Sequence, residues 1–228
     1  MKRFYKFLMP LVAIVAMALP LKASAQSSVL IADGTTTNSY VPLYGLWMDD
    51  YTRTQCIYPA SMLDDITTGS AITSLTFYTS DAAFTYGAAT FDVKLGEVSQ
   101  TTLDSYLTYT ATTVYTGSVE VSNNQMVVNF DVPYVYMGGN LMIEFYQTVE
   151  GTFHTTNFYG VTATGASASG YSSSGASGAT FNQRNFLPKV QIEYAEGGTI
   201  TCYRVKNLTV SDIDTSEVTL HWLDTNNV

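Results

Sequence analysis

Gln125–Tyr146 reads Gln-Met-Val-Val-Asn-Phe-Asp-Val-Pro-Tyr-Val-Tyr-Met-Gly-Gly-Asn-Leu-Met-Ile-Glu-Phe-Tyr. Met126, Val128 and Phe130 alternate with Val127, Asn129 and Asp131, and Leu141, Ile143 and Phe145 alternate with Met142, Glu144 and Tyr146. A period of two is that of a half-buried strand, so each run should give one face to a core. Pro133 has no amide donor and Gly138-Gly139 accept positive φ, which predicts a connection that ends one strand and starts the next without a helix. The stretch announces an all-β chain.

Composition agrees with that reading. The chain has 228 residues, 46% of them hydrophobic and only 13% charged, with 17 tyrosines and 16 glycines. That is enough apolar material for a core, and Thr, Ser, Gly and Tyr suit twisted sheets with polar turns better than helical bundles. Met1–Lys6 carries three positive charges, Phe7–Leu21 is apolar, and Ala23-Ser24-Ala25 is a small-x-small cleavage signal, so residues 1–25 read as a signal peptide. No later run approaches the length of a membrane span. Without Lys2, Arg3, Lys6 and Lys22, six basic side chains face 19 acidic ones, a net charge of −13. Such acidity argues against a nucleic-acid partner.

Outward from the central stretch, further strands are expected over Ser28–Ala32, Ile72–Tyr78, Phe91–Leu95, Val114–Val121 and Val190–Tyr194. Tyr40–Leu46 and Thr52–Tyr58 read as a hairpin with Asp49 and Asp50 near its tip, and Pro59–Leu63 as one helical turn. Ser99–Thr113 is expected to lie over a sheet edge as a loop or short helix. Thr152–Val161 reads as an interrupted or edge strand. Thr162–Thr180 holds mostly Gly, Ala, Ser and Thr with a single aromatic, Tyr171, and is expected to be an exposed loop. Nine or ten strands at turn-separated intervals point to a two-sheet, jelly-roll-like β-sandwich over 26–196, followed by a linker over 197–203.

Residues 204–228 are a different object. Asn-Leu-Thr-Val-Ser-Asp-Ile-Asp-Thr-Ser-Glu-Val-Thr-Leu-His-Trp, from Asn207 to Trp222, resembles the first two strands of a fibronectin type III domain. Such a domain needs about 100 residues, so the segment reads as its incomplete start and the chain as the N-terminal part of a longer protein. A wider resemblance rests on Ser39-Tyr40-Val41-Pro42-Leu43-Tyr44-Gly45, Ile57-Tyr58-Pro59-Ala60, Val114-Tyr115-Thr116-Gly117, Phe158-Tyr159-Gly160-Val161 and Asn185-Phe186-Leu187-Pro188-Lys189. These phrases resemble a β-sandwich module of secreted and surface proteins in Bacteroidetes-type bacteria, often followed by fibronectin type III repeats. The resemblance implies export and an adhesive or binding architecture. It carries over no functional residue.

The residues offer little catalytic chemistry. His154 is the sole histidine of the sandwich and would have to serve as base in any Ser-His-Asp or Cys-His arrangement. No GxSxG, HExxH or CxxC spacing is present. Cys56 and Cys202, the only cysteines, leave a disulfide open, the alternative for Cys56 being a small buried apolar side chain. Asp49-Asp50 and Asp64-Asp65 offer oxygen ligands for calcium but lack a binding-loop spacing, and solvated turns are the favoured reading, with no metal or other cofactor expected. The expected function is therefore non-catalytic: an extracellular binding or adhesion module, secreted or at the cell surface, with a glycan or protein ligand. The alternative is an accessory domain of a secreted hydrolase whose catalytic part lies beyond residue 228. Trp47, Asp49, Asp50 and Tyr51 are the candidate ligand contacts, since flat rings beside carboxylates suit a sugar's apolar face and hydroxyls. Intact-mass measurement of exported protein should find a species beginning at Gln26. One still carrying Met1–Ala25 would refute the cleavage.

Overall fold

The computed structural model describes residues 26–197, 206–211 and 219–223. The expected signal peptide, most of the linker, Cys202, Asp212 and Asp214 lie outside the described residues. The strands are β1 (Gln26–Ile31), β2 (Thr36–Asn38), β3 (Tyr51–Tyr58), β4 (Ala71–Tyr78), β5 (Ala83–Thr85), β6 (Thr90–Val98), β7 (Thr112–Gly117), β8 (Glu120–Ser122), β9 (Gln125–Val135), β10 (Asn140–Val149), β11 (Phe158–Ser172), β12 (Asn182–Pro188) and β13 (Val190–Ala195), with β14 (Lys206–Ser211) and β15 (Thr219–Leu223) forming a separate antiparallel pair. A six-stranded sheet runs β1-β13-β4-β9-β8-β5, and a seven-stranded sheet runs β12-β11-β3-β10-β6-β7 with β2 also on β11. Every ladder is antiparallel, and one apolar core joins the two sheets as a β-sandwich. Phe77 of the first sheet meets Phe145 of the second edge to face, with ring centroids 5.7 Å apart.

The central stretch forms both expected strands but places them in different sheets. Met126, Val128 and Phe130 face the shared core from one side, Leu141, Ile143 and Phe145 from the other. Pro133 lies within β9, not in the connection as expected. The register of β9 on β4 slips between Ile72 and Ser74, opposite Asn129 and Tyr134, and this irregularity accommodates a residue without a ladder donor. The connection itself is held by Glu97, whose carboxylate accepts the amides of Met137 and Gly139 and the Tyr134 hydroxyl. A Cβ at Gly139 would stand 2.8 Å from Glu97 Oε2, so a larger residue there would push the carboxylate off the amides it accepts.

Three other expectations fail for physical reasons. Tyr40–Leu46 is not the first arm of a hairpin. Val41, Leu43, Tyr44, Gly45 and Met48 are all buried, a run without alternation, and the segment plugs the sandwich before a 3₁₀ turn at Gly45–Trp47. The Thr54 hydroxyl donates to the Pro42 carbonyl, and the real neighbours of β3 are β10 and β11. Val114–Val121 is not one strand, because β7 and β8 belong to opposite sheets. Thr162–Thr180 is the largest correction. Its first half completes β11, an interior strand between β12 and β3, with 165–170 buried.

Small side chains in β11 reflect crowding from both sides. On the outer face of the seven-stranded sheet, Leu103, Tyr106, Leu107 and Tyr109 pack with Ile57, Met142, Ala168 and Phe181 as a second cluster. Ser99–Thr113 thus lies over a sheet face, not its edge. A Cβ at Gly170 would fall 1.5 Å from the Thr180 carbonyl oxygen and 2.9 Å from the Tyr106 hydroxyl. Gly170→Ala should therefore lower the unfolding free energy by about 3 kcal/mol, as overpacking against backbone does, read by urea denaturation. Unchanged stability would return the segment to the surface.

Candidate functional site

The plug segment and the end of β11 build a row of rings at one rim of the sandwich. Trp47 ends the 3₁₀ turn and stacks on Tyr171 with centroids 3.9 Å apart and planes 6° from parallel. Tyr171 meets Tyr44 edge to face at 6.4 Å, and Tyr44 meets Tyr40 at 5.4 Å. The Arg184 guanidinium, from β12, sits 3.8 Å above the Tyr40 ring and 5.7 Å from that of Tyr44. Its Nε donates to Ser169 Oγ at 2.9 Å. Tyr44 is buried in the middle of the row, while Trp47, Tyr171, Tyr40 and Arg184 are half-buried.

The four residues expected from sequence are divided by this arrangement. Trp47 belongs to the row. Asp49 is exposed and Asp50 half-buried in the turn that follows, where the Asp50 amide donates to the Trp47 carbonyl. Tyr51 opens β3 with the alternation of Arg53, Gln55 and Ile57, which places it on the outer face of the sheet. Tyr40, Tyr44, Tyr171 and Arg184 were missed. Tyr171 was visible as the lone aromatic in a run of small residues, and Arg184 as one of few cations, but nothing local joined them across the fold.

Elsewhere Glu144 and Asp81 tie segments of the fold together. Glu144 is buried beneath the Ser99–Thr113 segment, where it accepts from Arg53 Nε at 2.8 Å and Gln55 Nε2 at 2.9 Å. Gln55 also receives the Leu107 amide and donates to the Leu107 carbonyl, so one buried amide ties the covering segment to the sheet. Burial raises the Tyr106 and Tyr109 hydroxyls far above the ordinary phenol range and does the same to the Cys56 thiol, which is free and buried as a small apolar side chain. His154 lies in the stretch leading to β11. Its Nε2 is 3.0 Å from Asp81 Oδ2 and its ring stacks on Phe84. That hydrogen bond holds the Asp81 carboxyl below its ordinary value. Asp64 is exposed and, with Thr67, Thr68 and Tyr136, lines a cleft of about 330 Å³. Among the described residues no three His, Cys, Asp or Glu side chains converge as a metal site would require.

No protein-family model matches the chain, and no curated protein or solved structure is detectably similar to it. The row of rings must be judged by its own geometry. A double-mutant cycle over Trp47→Ala and Tyr171→Ala should give a coupling of about 1 kcal/mol in urea unfolding, the worth of a stacked pair beyond its burial. Strict additivity would show that the two rings do not depend on each other.

Proposed function

We propose that the chain is a non-catalytic extracellular binding module of an exported protein, taking a glycan at the Trp47–Tyr171 rim. The observation that carries the reading is the row itself. Aromatic rings offer flat apolar faces to the C–H surface of a pyranose while nearby hydroxyls and a guanidinium meet its polar groups. The stacked pair uses one face of each ring internally, and both rings keep solvent exposure for contact. Tyr40 and Trp47 come from the segment before β3, and Tyr171 and Arg184 from β11 and β12, so the strands hold part of the surface in place for a ligand.

The non-catalytic part of the reading draws on His154, whose ring is held by Asp81 and Phe84 and has no serine, threonine or cysteine side chain hydrogen-bonded to it among the described residues. Export draws on the charged, apolar and small-residue order of residues 1–25. The fibronectin type III reading of 204–228 draws support from β14 and β15, an antiparallel pair that leaves Val210 and Leu220 about half exposed.

A glycan array probed with the purified chain tests the proposal. Tyr171→Ala and Trp47→Ala, each with folding verified by circular dichroism, should lower binding of any retained glycan about tenfold or more, since stacking on a ring contributes on the order of 1.5 kcal/mol. Undiminished binding by both folded variants would remove the rim from the reading. Binding to no glycan would remove the ligand class.

A further inference from the structure

Residues 26–197 contain four cations, Arg53, Lys94, Arg184 and Lys189, among a large excess of carboxylates. Each sits over a tyrosine ring: Arg53 over Tyr106, Lys94 over Tyr146, Arg184 over Tyr40 and Lys189 over Tyr78. Three also have a carboxylate partner. Arg53 pairs with Glu144, Lys94 approaches Asp92 at 3.9 Å, and Lys189 pairs with Asp33. Arg184 has none within ion-pair distance among the described residues. The only hydrogen bond of its guanidinium there is the one from Nε to Ser169, which leaves the Nη groups of the fork without a protein acceptor.

This arrangement is the reverse of what an acidic surface would produce by indifference. Carboxylates are plentiful, yet the one uncompensated guanidinium is placed where rings, not acids, surround it. The Tyr40 face and the Ser169 hydroxyl fix the plane of the fork in advance, so little side-chain freedom remains to be lost when an anion docks. A planar fork matches a planar carboxylate through two parallel N–H···O bonds. From Arg184 to Tyr44 and from Tyr44 to Tyr171 the steps are 5.7 and 6.4 Å, within reach of a short oligosaccharide lying on the Trp47–Tyr171 pair.

We infer that the glycan recognised at this rim carries a carboxylate, as a uronic or sialic acid does, and that Arg184 is the residue that selects it. The inference rests on the glycan reading above and specifies its ligand. Sulfated glycans, whose oxygens are less basic and so weaker hydrogen-bond acceptors than a carboxylate's, should bind more weakly than carboxylated ones of similar charge.

The test compares the purified chain on oligogalacturonate, on the same oligosaccharide with its carboxyls reduced to alcohols, on sialyllactose and on lactose. At least one acidic member of these pairs should bind at least about tenfold more tightly than its neutral counterpart, the difference weakening as salt is raised. Arg184→Lys keeps the charge but loses the fork, and should weaken the acidic ligand about tenfold, a larger loss than the one its neutral counterpart shows. The carboxyl-reduced ligand reads the same contact on the unaltered chain, so a folding defect in the variant would not shield the inference. Equal binding of acidic and neutral members, or a preference for sulfated glycans, would overturn the carboxylate assignment while leaving glycan binding intact. Failure to bind any of these sugars or any glycan on the array would overturn both.

Discussion

The seven-stranded sheet is covered on both faces, and most of the structure's peculiarities follow from that. Its inner face meets the six-stranded sheet through Phe145, Phe91, Leu95 and Ile143, and its outer face is roofed by Leu103, Tyr106, Leu107 and Tyr109. A strand buried on both faces cannot keep a solvated polar side, so every polar group on β3 and β10 under the roof needs a protein partner. Glu144, Gln55 and Arg53 supply one another's. The backbone of Leu107 completes the set, which makes a charged network the fastener of an otherwise apolar lid. Removing Arg53 or Gln55 would leave the buried Glu144 carboxylate short of a partner.

The same double coverage sets the composition of β11. Between β12 and β3, with the roof above and the core below, there is room for Gly, Ala and Ser and little else. Ser167 and Ser169 are fully buried, and both hydroxyls have partners, Ser167 donating to the Phe186 carbonyl and Ser169 receiving Arg184. The strand ends its buried run at Gly170, and the first large side chain afterwards is Tyr171. That ring emerges at the rim, where the plug segment has already brought Tyr44 and Trp47. The candidate site is thus where the crowding stops.

Charge is handled with the same economy. A chain so acidic has few cations to distribute, and in the sandwich each is laid on a tyrosine, where the ring quadrupole supplies an attraction that salt and water do not fully screen. Glu97 shows the complementary device. Its carboxylate takes backbone amides of the turn between β9 and β10, so an acidic side chain replaces a hairpin hydrogen bond where the chain crosses between sheets.

Much of the architecture was legible in local pattern. Alternation over Met126–Phe130, Leu141–Phe145, Phe91–Leu95 and Val190–Tyr194 identified strands and their core faces, because a period of two with one apolar face has no other stable use. What the pattern could not carry was anything decided by a second layer. Thr162–Thr180 reads as a loop because burial is normally signalled by large apolar residues, whereas here burial on both faces of an interior strand forbids them. Tyr40–Leu46 reads as a strand because its buried residues form a plug whose shape is dictated by Thr54, Gln147 and the sandwich end rather than by its own periodicity. Trp47 could be picked out by its chemistry alone. Its partner Tyr171 lies 124 positions later, and only the pairing of Tyr171 with Thr52 across β11 and β3 brings the two rings together. Residue types and their local spacing determined that this chain makes sheets; the meeting of distant segments decided where the rings of the rim and Arg184 would stand, since such meetings depend on long-range register that no short window of sequence contains.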